Sequence, residues 1–279
     1  MTKVWLITGT SRGLGRALVE YALEAGDNVV ATARNTASLE PLLQKYPSTL
    51  LLQALDVTDA SAAEATVSAA LEKFGHIDIL INNAGFAALA PVETTTAEDF
   101  RTHVDTNLVG VFNVTKAALP HFRTRGVGHI FQVSSIGSRA GNPGLGAYQA
   151  TKWAVSGFAT VLAAELRPLG VKVTSLEPGA MQTDMIGDDM AVREFPEIYE
   201  GTVRPVAKYL AGAGKGDLAA IGGTEISKVG KVIEALFEAD DPPVRLLLGK
   251  DAVWSSGKAA EALAASDEKW KELSVLACP

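Results

Sequence analysis

The chain has 279 residues, enough for a single α/β unit with a sizeable core. Hydrophobic residues make up 47% and charged residues 20%, which places it among ordinary folded globules. Its net charge is −7 with no basic block, which argues against nucleic acid or an anionic membrane surface as main partner but leaves room for a pocket taking one phosphate.

The N-terminal MTKVWLITG carries an apolar run of only four residues, too short for a signal-peptide core. Val4 to Ile7, ended by Thr8-Gly9, reads as a buried strand. Arg16 to Ala25 follows with helical periodicity and stops at Gly26. Asn28 to Thr32 is a second strand, Ala37 to Lys45 a short helix, and Leu50 to Leu55 a third strand ended by Asp56. Ala60 to Phe74 is an Ala-rich helix stopped by Gly75, and Ile77 to Ile81 a fourth strand ended by Asn82-Asn83-Ala84-Gly85. Ala97 to Arg125 reads as one long helix bent before Pro120. Gly128 to Val133 is a fifth strand, Gly146 to Arg167 a helix, and Val171 to Leu176 a sixth strand stopped by Pro178-Gly179. Asp184 to Gly223 is too long for a passive loop and reads as a lid with one or two short helices. Glu225 to Ala239 is again helical, Val244 to Leu248 a last strand, and Ala259 to Leu273 a polar helix. Cys278, the single cysteine, forms no intrachain disulfide and fits a reducing compartment. No run approaches the ~18 apolar residues of a membrane span, so a cytoplasmic protein is expected.

Continuous apolar strands alternating with helices mean a parallel sheet covered on both faces. Right-handed crossovers then give an α/β, doubly wound, Rossmann-like sheet. One domain over residues 1–279 is expected, with 184–223 as a lid within it. Thr8-Gly9, Asp56, Asn82 to Gly85, Ser134-Ser135 and Pro178-Gly179 all fall at carboxyl ends of strands, where such sheets bind ligands.

Gly9, Gly13 and Gly15 lie between the first strand and the first helix. Glycines there permit a tight turn and let a phosphate approach the backbone at a helix N-terminus. The spacing is GxxxGxG rather than GxGxxG, which suggests a different branch of dinucleotide binders. An NAD site usually has Asp or Glu after the second strand, but this chain has Arg34 there and Arg12 in the glycine loop. Two guanidinium groups suit a 2′-phosphate, so NADP(H) is expected over NAD(H).

Tyr148 and Lys152 are four residues apart and share one helix face. An ammonium beside a phenol lowers the phenol's pKa and makes a proton donor for neutral pH. Ser135 would meet that phenol across a loop.

Together these stretches resemble the short-chain dehydrogenase/reductase family in its non-extended form. The likeness runs from Lys3 to about Thr183: TGTSRGLG at Thr8 to Gly15, Asp56-Val57, NNAG at Asn82 to Gly85, Asn107, Ser135, YQATK at Tyr148 to Lys152, and PGAMQT at Pro178 to Thr183. The resemblance implies that Gly9, Gly13 and Gly15 line the pyrophosphate, with Ser11, Arg12 and Leu14 of the same loop at the cofactor. Asp56 and Val57 would contact the adenine, and Asn83, Ala84 and Gly85 the cofactor from the central strand. Pro178 and Gly179 would lie against the cofactor, with Thr183 bonding the nicotinamide carboxamide. Asn107, Ser135, Tyr148 and Lys152 would form a catalytic tetrad. In it Tyr148 passes a proton, Ser135 orients the carbonyl, Lys152 also bonds the nicotinamide ribose, and Asn107 holds a water leading from Lys152 to solvent. The implied reaction moves a hydride between nicotinamide and a carbonyl or secondary alcohol, as in a ketone reductase. Family members are often dimers or tetramers, so a homo-oligomer is expected.

His76, His103, His121 and His129 show no ligand spacing, so no metal is expected. Met181, Gln182, Met185 and Ile186, and likewise Ile136, Ser138 and Asn142, are candidates for the substrate wall. The apolar lid residues Met185, Ile186, Met190, Phe195, Ile198, Tyr199 and Leu210 hint at a medium-sized apolar ketone or alcohol. Two other readings compete. A catalytically silent NADP(H)-binding sensor or scaffold is disfavoured by the complete Asn107, Ser135, Tyr148 and Lys152 set. An epimerase or dehydratase of the extended branch is disfavoured by the TGxxxGxG pattern and the chain length.

Overall fold

The structure is a computed structural model that describes residues 2–181, 191–192, 194–215 and 218–278. Strands and helices alternate through the first two thirds of the chain. They are β1 (Val4–Thr8), α1 (Gly13–Glu24), β2 (Asn28–Ala33), α2 (Glu40–Lys45), β3 (Leu50–Ala54), α3 (Ala60–Phe74) and β4 (Ile79–Asn82). After the short β5 (Ala88–Leu89) come α4 (Ala97–Val104), α5 (Gly110–Arg125), β6 (Gly128–Val133), α6 (Gly146–Leu166) and β7 (Val171–Pro178). The remainder holds β8 (Ala191–Val192), α7 (Val203–Lys215), α8 (Leu218–Ile221), α9 (Ile226–Glu238), β9 (Arg245–Leu248) and α10 (Lys250–Val275).

Seven strands form one sheet in the order β3-β2-β1-β4-β6-β7-β9, and every pairing in it is parallel. The order reverses direction between β1 and β4. This is the doubly wound, Rossmann-like arrangement expected from the strand–helix alternation. Side chains alternate across each strand, and both faces are apolar. On one face Trp5, Ile7, Val29, Ala31, Ile79 and Ile81 pack with Leu18 of α1 and Ile233 of α9. On the other face Leu6, Val30, Leu80 and Ile130 pack with Val67 of α3, Phe122 of α5 and Leu162 of α6.

The segment read as one long helix over Ala97 to Arg125 is interrupted, but not at Pro120. Pro120 lies inside α5. The break is a π-helical turn at Asp105–Val109, where the Gly110 N–H bonds back to the Asp105 carbonyl. One wide turn of this kind is a recurrent device at functional sites, because it swings a side chain out of helical register. Here the residue swung is Asn107. The last helix also starts earlier than its polar stretch suggested, at Lys250 rather than Ala259. Between 184 and 223 the described residues hold α7 and α8, while Met185, Ile186 and Met190 fall outside them.

Gly110 marks a tight contact between α5 and the end of β3. A Cβ there would collide with Val57 Cγ2 and lie 2.9 Å from Val57 Cβ. Gly110→Ala should cost about 1–3 kcal/mol by overpacking. Chemical denaturation checks this, and Val57→Ala in the same chain should restore part of the loss, because it removes the opposing methyls while its own Cβ stays in place.

Candidate active site

The carboxyl rim of β1 is shaped by its glycines. Gly9 (φ +69°) and Gly13 (φ +58°) occupy the left-handed region that side chains rarely adopt. Gly15 serves by lack of bulk, since a Cβ there would run into the Gly9 carbonyl and lie 2.5 Å from Asn83 Nδ2. Asn83 braces the loop, with Nδ2 donating to the carbonyls of Thr8 and Gly9 at 2.9 and 3.0 Å. Thr8 Oγ1 in turn accepts from the N–H groups of Asn83 and Ala84, each at 3.0 Å. The twelve-residue α1 starts here with no side chain capping its N-terminus, which leaves its first N–H groups for an anion. Leu14 is buried beneath the turn, while Ser11 and Arg12 are exposed on it.

Arg34 is exposed just after β2. Asp56 accepts from the N–H and hydroxyl of Thr58 at 3.0 and 2.8 Å. Those two bonds, and to a lesser degree the Arg34 cation, hold its carboxyl below the ordinary value. Arg34 therefore stands near Asp56, at the rim position where the adenosine end of a dinucleotide is expected. Val57 is buried beside Asp56. Across the rim, a Cβ on Gly85 would come within 3.1 Å of Asn107 Oδ1 and 3.7 Å of Lys152 Nζ. Gly85 thus joins the glycine loop side to the tetrad side. Pro178 ends β7, and the Gly179 N–H donates to the Leu248 carbonyl at 2.9 Å. Asp251, at the start of α10, accepts from the Ala180 N–H at 2.7 Å and lies where any side chain on Gly179 would have to go. Gln182 and Thr183 lie outside the described residues.

Three of the four tetrad candidates meet beyond β6. Ser135 is extended (φ −168°) and opens a short 3₁₀ turn at Ile136–Ser138, its Oγ accepting from the Gly137 N–H at 3.0 Å. The Ser135 hydroxyl lies beside the Tyr148 phenol and favours its ionised form. Lys152, one helical turn on, is buried, and its ammonium donates to the Val133 carbonyl at 2.7 Å. It lies 5.6 Å from the Tyr148 ring centroid.

The expected lowering of the Tyr148 pKa by Lys152 is not what this geometry produces. Burial pushes the phenol up from its ordinary value of 10, and the Ser135 hydroxyl opposes that only in part. Burial likewise pushes Lys152 down to about 8. The ammonium donates to the Val133 backbone carbonyl, and burial outweighs any other influence on the phenol.

Asn107 is buried on the π turn. Its Nδ2 donates to the Phe86 carbonyl at 2.9 Å and to Thr151 Oγ1 at 3.2 Å, and its Oδ1 accepts from the Phe86 N–H at 3.0 Å. The side chain therefore ties the segment after Gly85 to α6 beside Lys152.

The wall around the phenol is apolar. Tyr148 packs in a cluster with Ala87, Leu89, Leu145 and, from the 184–223 segment, Phe195, Tyr199, Val203, Val206, Ala207 and Leu210. Phe195, Tyr199 and Leu210 were expected there, whereas Ile198 is 83% exposed and stays out. Val203, Val206 and Ala207 carried no mark in the sequence beyond helical spacing. Ser138, a wall candidate, is buried and bonds the Ser135 carbonyl at 2.7 Å instead. Among the described residues no group of three or more His, Cys, Asp or Glu side chains could hold a metal ion. His129 stacks on Phe131, with ring centroids 3.9 Å apart, and burial holds its pKa at about 3.

The parallel sheet, the glycine-lined helix N-terminus at its switch point and the serine–phenol pair over a buried ammonium define a dinucleotide-binding oxidoreductase fold. The pattern described as short chain dehydrogenase matches residues 3–193. An oxidoreductase of Botryotinia fuckeliana is 49% identical over 279 residues, covering 99% of both chains. The solved short-chain dehydrogenase from Streptomyces avermitilis superposes with a TM-score of 0.89 at 34% identity, covering 98% of this chain and 97% of that one. A 3-ketoacyl-(acyl-carrier-protein) reductase from Brucella melitensis, complexed with NADH, superposes with a TM-score of 0.76 at 27% identity, covering 90% and 98%. The chain belongs to the short-chain dehydrogenase/reductase family and is an oxidoreductase acting on a CH–OH or C=O group.

The depressed Lys152 has a thermodynamic consequence. Between pH 8 and 10.5 the unfolded lysine holds a proton that the folded one has released, so stability rises with pH across that window. The rise should be on the order of 1–3 kcal/mol and absent in Lys152→Met. Denaturant titrations of both proteins at pH 7.5, 9 and 10.5 measure the difference, in which other titrating groups cancel.

Proposed function

We propose that the protein is an NADP(H)-dependent ketone reductase. Its Asn107, Ser135, Tyr148 and Lys152 would act as the catalytic and supporting set. The observation that carries this reading is the Tyr148 phenol set beside the Ser135 hydroxyl and facing an apolar wall, near the rim where Gly85 approaches Lys152.

The rim fits a nicotinamide dinucleotide, since the loop has no room for a Cβ at Gly9 or Gly15 and an uncapped helix N-terminus lies beneath it. When bound, the dinucleotide supplies or accepts a hydride. The chain's own residues supply the rest. Gly9, Ser11, Arg12, Gly13, Leu14 and Gly15 would hold the pyrophosphate. Asp56, Val57, Asn83, Ala84, Gly85, Pro178, Gly179 and Thr183 would frame the two ends. The Ser135 hydroxyl would hold the substrate oxygen in line with the phenol. A phenol with a raised pKa stays protonated at neutral pH and would deliver its proton to the oxygen as negative charge develops there. Lys152, with its pKa lowered to about 8, would exchange the proton that recharges the phenol. The apolar cluster from 195 to 210 would exclude water and favour an apolar ketone.

The preference for NADP(H) rests on Arg34 and Arg12, and on the lack of an acid after β2. The similar Brucella reductase complexed with NADH makes this preference a point to test. We read 184–223 as the substrate lid of a single domain, and the chain as a cytoplasmic homo-oligomer. No helix among the described residues is long and apolar enough to cross a membrane. Phe112, Trp153 and Val161 on α5 and α6 expose apolar surface that a second copy would cover.

Tyr148→Phe should lower NADPH oxidation on a ketone panel by about 10²–10⁴-fold while leaving NADPH affinity intact in a fluorescence titration. Undiminished turnover would sink the mechanism. If no ketone or alcohol is turned over by the unmodified protein, a silent NADP(H)-binding protein becomes the better description. Arg34→Ala should weaken NADPH binding by about tenfold and leave NADH binding unchanged. Equal affinity for the two dinucleotides, unaltered by the substitution, would refute the phosphate assignment.

A further inference from the structure

Glu177 is the penultimate residue of β7 and its side chain is completely buried. A buried carboxylate is costly unless its oxygens are filled by donors. Here Arg139 Nε donates to Oε2 and Arg245 Nε donates to Oε1. Ser156 Oγ lies 3.1 Å from Oε1 as well. A lone acid inside the buried strand VKVTSLEP is thus paired with two guanidinium groups from other parts of the chain.

Both branches of this cluster lead to the Ser135–Lys152 site. Arg139 directly follows the 3₁₀ turn that Ser135 opens. Arg245 reaches from β9 to the same turn, with Nη2 donating to Ser138 Oγ at 3.1 Å and lying 3.3 Å from the Ser138 carbonyl. Ser138 Oγ in turn donates to the Ser135 carbonyl at 2.7 Å. On the other branch, Ser156 Oγ is 2.8 Å from Ser134 Oγ, which donates to the Lys152 carbonyl at 3.0 Å. The carboxylate only accepts, so it fixes the two guanidinium donors, while the single Ser156 proton serves either Oε1 or Ser134 Oγ, whose own proton goes to the Lys152 carbonyl.

We propose that Glu177 is a positioning residue for the reaction. By gathering Arg139 and Arg245 it fixes the turn that aims the Ser135 hydroxyl at the Tyr148 phenol. This rests on the reductase reading above and adds to it a residue that touches neither substrate nor dinucleotide. The geometry explains why an ion cluster sits under this turn when apolar packing would hold β7 as well. Apolar side chains would fill the space, but they would not fix the orientation of a hydroxyl across a three-residue turn. Glutamine at 177 keeps the shape but turns one acceptor oxygen into an NH₂ group that faces an arginine donor. The turn then has to shift.

The test is a double-mutant cycle on single-turnover rates, with wild type, Glu177→Gln, Ser135→Ala and the double variant, alongside NADPH affinity. A positioning role predicts that Glu177→Gln lowers the rate by about tenfold to a hundredfold in the wild type and leaves NADPH affinity unchanged. In the Ser135→Ala background the same substitution should change the rate by less than about twofold, because the hydroxyl it aims is gone. Effects that multiply across the two sites, or a Glu177→Gln rate equal to wild type, overturn the proposal. Should circular dichroism find Glu177→Gln unfolded, Ser138→Ala cuts the same link one bond from Ser135 and takes its place in the cycle under the same criteria. A wild type with no turnover defeats the reductase reading and this proposal together. A wild type that turns over with multiplicative effects defeats this proposal alone.

Discussion

The parallel pairing of β1 with β4 is the constraint on which the rest depends. Those two strands were made by distant parts of the chain, and their crossovers leave in opposite directions. A crevice has to open above the pair, because no helix can cover both exits at once. Thr8 closes its floor. One hydroxyl accepts from two N–H groups of the β4 exit, and Asn83 returns two bonds to the β1 exit. The other five strands of the seven-stranded sheet end at the same rim because a parallel sheet orients them alike. This is why residues as far apart in sequence as Gly9, Ser135 and Gly179 share one neighbourhood.

Above that floor the site is built from buried polar groups, and their cost is met unevenly. Asn107 satisfies both ends of its amide. Glu177 is surrounded by donors. Lys152 has one backbone carbonyl for its ammonium, and burial drives its pKa down accordingly. Unequal solvation of this kind is what brings the Lys152 pKa down to about 8. The same burial pushes the phenol up, so opposite shifts act on two groups four residues apart.

Much of this was legible from residue patterns. Strand and helix alternation follows from where apolar residues fall, and both faces of the sheet are apolar because both are covered. Gly9 and Gly13 are needed for their left-handed backbone and Gly15 for its missing side chain, and all three stand out as a run of glycines. The π turn did not stand out, because VDTNLVG has ordinary helical spacing and one extra residue per turn leaves no compositional trace. The partners of Glu177 were equally hidden. Arg139 and Arg245 are 106 positions apart, and only the docking of β9 beside β7 brings them to one carboxylate.

The sequence by itself determined the parallel α/β architecture, the glycine cradle and the identity of the serine, tyrosine and lysine at the rim, because each follows from local periodicity or from residue type at a strand end. The direction in which Lys152 points, the protonation states that follow, the swing of Asn107 and the apolar wall of Val203, Val206 and Ala207 were decided only by tertiary structure. Those features depend on which carbonyl, donor or methyl group stands opposite a side chain. Such neighbours come from other segments of the chain, and burial among them sets the local electrostatics.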